Sequence, residues 1–484
     1  MLNNRFDQRL WSHICRRSFL QQSSYSVGGV ALAGMLNASG FGLEASTEKS
    51  SSEFKRGIHF PSKIRRVIHL CMSGGPSHME SFDPKPELDK LDGKPFPESF
   101  TKGQQLAQLQ NAELKARKAF CTFTPSGKSG IPIADIFPHI QGIADDICVI
   151  RSMHTEQINH DPALGFINSG SIQKGRPSMG SWLMYGIGAE TENLPGFVVM
   201  VSKARKGGAQ PVSARQWSAG FLPSKYQGIQ FQTRGDAVHY IKSPEGVAPE
   251  WQAETVQQIN LLNRMKLVES LDPEIETRIS QYEMAYRMQT SVPDLTDMST
   301  ESKETLEMYG VKEAGDGSFA SNCLLARRLV ERGVRMVQLY HRAWDHHSDI
   351  VNSMPAAAED VDQATAALVN DLKQRGMLDE TLIIWGGEFG RTPMGQGTGR
   401  DHHINAFSIW MAGGGVKPGT IYGQTDELGY RFIDDGQQVH VRDLHATLLH
   451  LFGIDHQRFT FKFLGLDARL TGVEPARVIK DILT

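Results

Sequence analysis

Arg65-Arg66-Val67-Ile68-His69-Leu70-Cys71-Met72 runs directly into Ser73-Gly74-Gly75-Pro76. An apolar run of strand length that stops at a Gly-Pro signal reads as a buried strand followed by a tight turn. The same pattern returns along the chain. Ile147-Cys148-Val149-Ile150, Pro195–Met200, Val334–Tyr340, Thr381–Trp385 and Phe407–Met411 are all short and apolar. Between them lie segments with helical spacing, notably 251–290, 320–333, 356–377 and 443–452. Strands alternating with helices predict an α/β fold built of βα units, with a mainly parallel sheet covered on both faces. Residues 84–135 are polar with scattered proline and read as an insertion, and 205–250 as Gly-, Pro- and Gln-rich loops.

The chain has 484 residues, enough for a large core. Its 51 Lys and Arg against 54 Asp and Glu leave a net charge of -3, which argues against a nucleic-acid partner. No apolar run after residue 60 reaches the length of a membrane helix. The start is different. Cys15-Arg16-Arg17-Ser18-Phe19-Leu20 followed by the apolar stretch 26–36 has the order of a twin-arginine export signal. Residues 1–45 are therefore expected to be signal and linker, residues 60–484 one domain with loop insertions, and the destination periplasmic or extracellular. Five cysteines without a CxxC pair predict buried thiols rather than a disulfide framework.

In open α/β sheets ligands bind beyond the carboxyl ends of the strands. Polar residues cluster there. Ser73, Ser77, His78 and Asp83 follow the first strand, and His154, Thr155, Asn159, His160 and Asp161 the second. His341, Asp345, His346, His347 and Asp349 follow the strand at 334–340. Glu388, Arg391, Arg400, Asp401, His402 and His403 follow Trp385. Histidine mixed with carboxylate suits borderline divalent metals such as zinc, manganese or iron. Asp345 and His347, two residues apart in extended chain, share one side, which turns His346 away.

Met72-Ser-Gly-Gly-Pro-Ser-His-Met-Glu-Ser-Phe-Asp-Pro-Lys-Pro86, Gly175-Arg-Pro-Ser-Met-Gly-Ser-Trp182, Trp344-Asp-His-His347, Gly387-Glu-Phe-Gly-Arg-Thr-Pro393, Gly399-Arg-Asp-His402 and Ala412-Gly-Gly-Gly-Val-Lys417 carry a family resemblance. They resemble the exported bacterial family catalogued as domain of unknown function 1501, from about residue 65 to the C-terminus. That family is similar to the alkaline phosphatase and sulfatase superfamily. The resemblance implies an alkaline-phosphatase-like (sulfatase-like) domain, a three-layer α/β/α sandwich around a mostly parallel sheet, and a metal-dependent hydrolase of phosphate or sulfate esters. It implies one or two divalent ions, zinc, manganese or calcium. The substrate would be an anionic ester, with sulfated or phosphorylated saccharides among the candidates.

By the same resemblance Asp345, His347 and His402 belong to one metal site. Glu388 stands where a further carboxylate ligand would be, with Phe389 in place of its histidine; as a carboxylate after a strand it either binds metal directly or holds a metal-bound histidine. Ser73 stands where a first-strand aspartate would be, so a second metal site rests on His78 or Asp83. Thr155 occupies the nucleophile loop; from its charge alone, not from the resemblance, Arg176 or Arg391 would bind the substrate anion. Each has a plainer reading. Ser73-Gly74-Gly75 makes a tight turn, and the 175–182 motif fixes a turn and fills a core. Arg391 pairs with a nearby carboxylate or orients one. Gly413-Gly-Gly lacks nucleotide-loop spacing, and His445 and His450 are packing or surface residues. The alternative function is a non-catalytic exported binding protein on the same scaffold.

The export reading predicts that replacing Arg16 and Arg17 with Lys leaves the precursor in the cytoplasm. Fractionation that finds the variant exported as well as the parent removes it.

Overall fold

The computed structural model describes residues 57–206, 210–238, 249–270 and 273–484. The expected signal over 1–45 lies outside the described residues. Nine strands form one sheet. They are β1 (Arg66–Met72), β2 (Ile147–His154), β3 (Phe197–Val201), β4 (Ile229–Gln230), β5 (Met336–His341), β6 (Thr381–Gly386), β7 (Phe407–Gly413), β8 (Thr420–Tyr422) and β9 (Val439–His440). The order is β8-β2-β7-β6-β1-β5-β3-β4, with β9 beside β2. β7 runs antiparallel to β2 and β6, and every other pair is parallel. The mostly parallel sheet is as the sequence pattern predicts.

β1 shows why three layers form. Its side chains alternate, and both faces are buried. Ile68, Leu70 and Met72 enter one core with Leu324 and Leu368. These come from the helices Phe319–Glu331 and Ile350–Gln374. Val67 and Cys71 enter the other core with Leu164, Leu183 and Leu448. Those side chains lie on the helices His160–Ser169, Met179–Ile187 and Val441–Leu451. A strand buried on both faces must read as continuously apolar.

Three elements differ from expectation. The helix expected at 356–377 begins six residues earlier, because Ile350 and Met354 are buried against the core. Residues 84–135 are not merely a polar insertion. They contribute Leu88, Phe96, Leu109 and Ala116 to a satellite core. The segment between β6 and β7, read as loop, is an antiparallel hairpin of Gly390–Gln396 and Gly399–His403. Among the described residues no helix is long and apolar enough to cross a membrane.

Register positions the site. Met72 pairs with His341, and Cys71 with both Tyr340 and Gly386. The carboxyl ends of β1, β5 and β6 are therefore level, and their loops leave together. Gly74, at φ +120°, lies so close to the β5 loop that a Cβ would stand 2.4 Å from the Asp345 nitrogen. The hairpin is anchored by a fully buried ion pair, Arg400 Nη2 to Glu80 Oε1 at 2.5 Å. Removing one partner leaves the other charge buried and uncompensated. Arg400→Ala is expected to cost about 3–5 kcal/mol in urea unfolding. A loss below about 1 kcal/mol would show that the pair does not anchor the hairpin.

Candidate metal centre

Four side chains converge beyond the strand ends. Asp345 and His347 come from the β5 loop, His402 from the hairpin, and His160 opens the helix after β2. One ligand atom from each lies within 4.8 Å of all the others. Asp345 Oδ1 is 3.2 Å from His160 Nε2, 3.0 Å from His347 Nε2 and 3.4 Å from His402 Nε2. The Nε2 atoms of His347 and His402 are 2.8 Å apart. His347 is 23% exposed and Asp345 19%, so ions can reach the cluster from solvent.

The far nitrogens decide its chemistry. His160 Nδ1 donates to Glu388 Oε1 at 2.7 Å, and His402 Nδ1 to the Ile158 carbonyl at 2.7 Å. His347 Nδ1 donates to Gln396 Oε1. Gln396 Nε2 donates to Gln108 Oε1 at 2.8 Å, which turns the amide oxygen toward the ring. Every far partner is an oxygen acceptor, so each neutral imidazole carries its proton on Nδ1 and a lone pair on Nε2. With all three rings neutral, three lone pairs and a carboxylate oxygen face one another, an arrangement that repels itself unless positive charge, a proton on His160 or a cation, sits among them. Burial pulls the His160 pKa down, but its bonds to Asp345 and Glu388 outweigh that and raise it to about 9. Despite burial, Asp345 is held well below the usual carboxylate range by His160, His347, His402 and Arg391. The donor set, three imidazole nitrogens and one carboxylate, fits a divalent ion of the zinc or manganese kind.

Glu388 and Arg391 hold the ligands. Glu388 is fully buried and accepts from the Gly74 nitrogen at 2.9 and 3.1 Å as well as from His160. The Arg391 guanidinium, also buried, donates to Asp345 Oδ1 at 2.6 Å. Its other bonds go to the carbonyls of Gly74, Gly75, Trp344 and Arg400. Phe389 packs its ring 4.9 Å from His160 and 4.6 Å from His402, covering the apolar side.

A family model described as "Protein of unknown function (DUF1501)" matches residues 64–483. The chain belongs to this family. No curated protein matches it. Solved structures similar to this DUF1501 chain include a phosphonate monoester hydrolase from Silicibacter pomeroyi, at 12% identity and TM-score 0.29, covering 70% of this chain and 72% of that one. A PsFucS1 sulfatase from Pseudoalteromonas sp. shares 13% identity over 81% and 68% of the two chains, at TM-score 0.31. An alkaline phosphatase superfamily protein from Vibrio parahaemolyticus shares 9% over 83% and 70%, at TM-score 0.35. Likenesses this distant say nothing about chemistry.

Of the residues singled out in the sequence, Asp345, His347 and His402 meet. Glu388 stands one step back, behind His160. Arg391 has its guanidinium occupied by carbonyls and Asp345, so it orients a carboxylate and is not free to hold a substrate anion. His78 sits in a buried turn with Nε2 bonded to the Gly429 carbonyl, outside the cluster. The Ser73 and Thr155 hydroxyls are buried and make no hydrogen bond among the described residues. Arg176 donates to Gln173 and lies over the Phe221 ring, away from the four ligands. His346 is buried between its neighbours and lies outside the cluster, its pKa lowered to about 3 by burial. His403 Nε2 bonds to the Tyr430 carbonyl. His160 was visible only as one of several polar residues after β2. Its signal is position, the first residue of an amphipathic helix directly after a strand end. Gln108 and Gln210 carried no signal, yet Gln210 Nε2 donates to Asp345 Oδ2 at 2.7 Å.

Glu388→Gln keeps the shape but removes the charge that holds His160. Metal affinity, read by competition with a chelating dye, is expected to fall on the order of 10–100-fold. Unchanged affinity would make Glu388 a purely structural partner of Gly74.

Proposed function

We propose that this DUF1501 protein is an exported, metal-dependent hydrolase of phosphate or sulfate esters. The observation that carries the reading is the convergence of three imidazole Nε2 atoms and Asp345 Oδ1 at a partly exposed point, with each far nitrogen bonded to an oxygen. When bound, a divalent cation supplies Lewis-acid polarisation of an ester oxygen and offsets charge that develops there. The chain's own residues do the rest. Asp345 offsets positive charge, and Arg391 and Gln210 fix its two oxygens. Glu388, Ile158 and Gln396 hold the imidazoles in the ligating tautomer. Phe389 keeps water from one side of His160 and His402. The substrate class that suits this arrangement is an anionic ester, a sulfated or phosphorylated saccharide being the form expected from the family resemblance.

One observation favours the second reading, an exported binding protein. The Thr155 hydroxyl, the nucleophile expected from the resemblance, makes no hydrogen bond to any of the four ligands. Hydrolysis would then have to use water directly. Metal content and turnover of aryl phosphates and aryl sulfates separate the readings. The wild-type protein is expected to hold metal and turn over at least one ester class. The His347→Ala, His402→Ala double variant is expected to lose both, while His346→Ala largely keeps its metal. Stoichiometric metal in the double variant contradicts the assignment, and metal without turnover selects the binding protein.

A further inference from the structure

The other end of the helix that begins at His160 opens on a second cavity, of about 560 Å³. The helix has 10 residues, so this cavity lies about 15 Å from the cluster. Its inner wall is aromatic, with Phe166, Trp182, Phe221 and Phe463. Of the three arginines that line it, Arg176 and Arg442 are each laid on a ring. Arg442 lies 5.0 Å from the Phe166 centroid and Arg176 5.6 Å from that of Phe221. Arg442 is neutralised by Glu156 at 2.5 Å. Arg176 bonds only to the amide oxygen of Gln173 and, among the described residues, has no carboxylate partner. Asp467 and Glu474 share the lining with Lys174 and Arg469, so the charges there still leave one base in excess.

The mouth is apolar and points outward. Leu464 is 86% exposed, Leu466 73%, Val473 87% and Ile172 54%. Leu464 is the tip of a hairpin in which Phe463 pairs with Leu466. A two-residue turn of this kind needs positive φ at both central residues and favours Asn-Gly or Gly-Gly. Here Leu464 takes φ +50° and Gly465 +81°. A bulky apolar residue in left-handed backbone, set in water, is unfavourable twice over within the isolated molecule. Contact with something outside the molecule removes the second penalty.

We propose that this face docks on an anionic lipid surface. Leu464, Leu466, Val473 and Ile172 enter the acyl region, and Arg176, which lines the same cavity, meets a lipid phosphate. Apolar tips backed by a cation match the order of layers that a membrane surface presents. A small free anion would fill the cavity and leave the four tips in water. The site is separate from the metal cluster and stands whatever reaction occurs there.

The test is co-sedimentation of the full chain with vesicles of phosphatidylcholine alone or with phosphatidylglycerol. Wild type is compared with Leu464→Asp, Leu466→Asp and with Arg176→Gln, so that the N-terminal apolar stretch is common to all. The tip variant is expected to lose at least fivefold in bound fraction on both vesicles. Arg176→Gln is expected to lose the preference for phosphatidylglycerol. Circular dichroism and metal content should be unchanged, since all three side chains lie at the surface or the cavity mouth. Equal binding by wild type and the tip variant overturns the proposal. So does a tip variant whose only change, seen by sedimentation velocity without lipid, is loss of a dimer, for the occupant is then a second copy.

Discussion

One buried guanidinium joins the parts of the site. Arg391 reaches the carbonyls of Gly74 and Gly75 after β1, the carbonyl of Trp344 after β5, the carbonyl of Arg400 in the hairpin and Asp345 Oδ1. These are three separate segments of chain and one ligand. Burial pushes the Arg391 pKa down, while Asp345 and Glu388 act against it. A buried cation of this kind is tolerable only when its donors are used and carboxylates stand close. The requirement works in both directions. Arg391 holds the loops in place, and the loops hold the arginine. Its donors are then spent on the loops and on Asp345, and none is aimed at a substrate.

The same economy governs the histidines. An imidazole can point either nitrogen at a metal, and the hydrogen bond on the other nitrogen selects which. Glu388, Gln396 and the Ile158 carbonyl make that selection from a buried side chain, the hairpin and the segment before the helix. Glu388 also takes the Gly74 nitrogen, so one carboxylate fixes both a ligand and the turn that admits the β5 loop. Negative charge from Asp345 and Glu388 makes the point attractive to a cation. His160 expresses this when no metal is present, since its pKa rises in spite of burial.

Some of this was legible in the residue order. β1 reads as buried on both faces because each alternate side chain meets a different core. Asp345 and His347 could be paired, and His346 set apart, because extended backbone has a period of two. Other parts depend on contacts distant in sequence. Nothing local tells His160 from His154, since the choice is made by Glu388 more than 200 residues later. A carboxylate after a strand end either binds a metal or holds a histidine that does, and only the contact with His160 puts Glu388 in the second place. The hairpin of Gly390–Gln396 and Gly399–His403 read as loop because its stability comes from the buried Glu80–Arg400 pair rather than from alternation. Arg176 was placed on substrate by its charge alone, and its ring contact with Phe221 puts it at another cavity.

On the proposed reading, these three imidazoles and Asp345 Oδ1 hold one divalent ion. X-ray absorption at the metal edge of the loaded protein reads the ligands directly. Three imidazole nitrogens and one carboxylate oxygen are expected at about 2.0–2.2 Å if the ion is zinc. A spectrum with oxygen scatterers only, and no imidazole contribution, would contradict it.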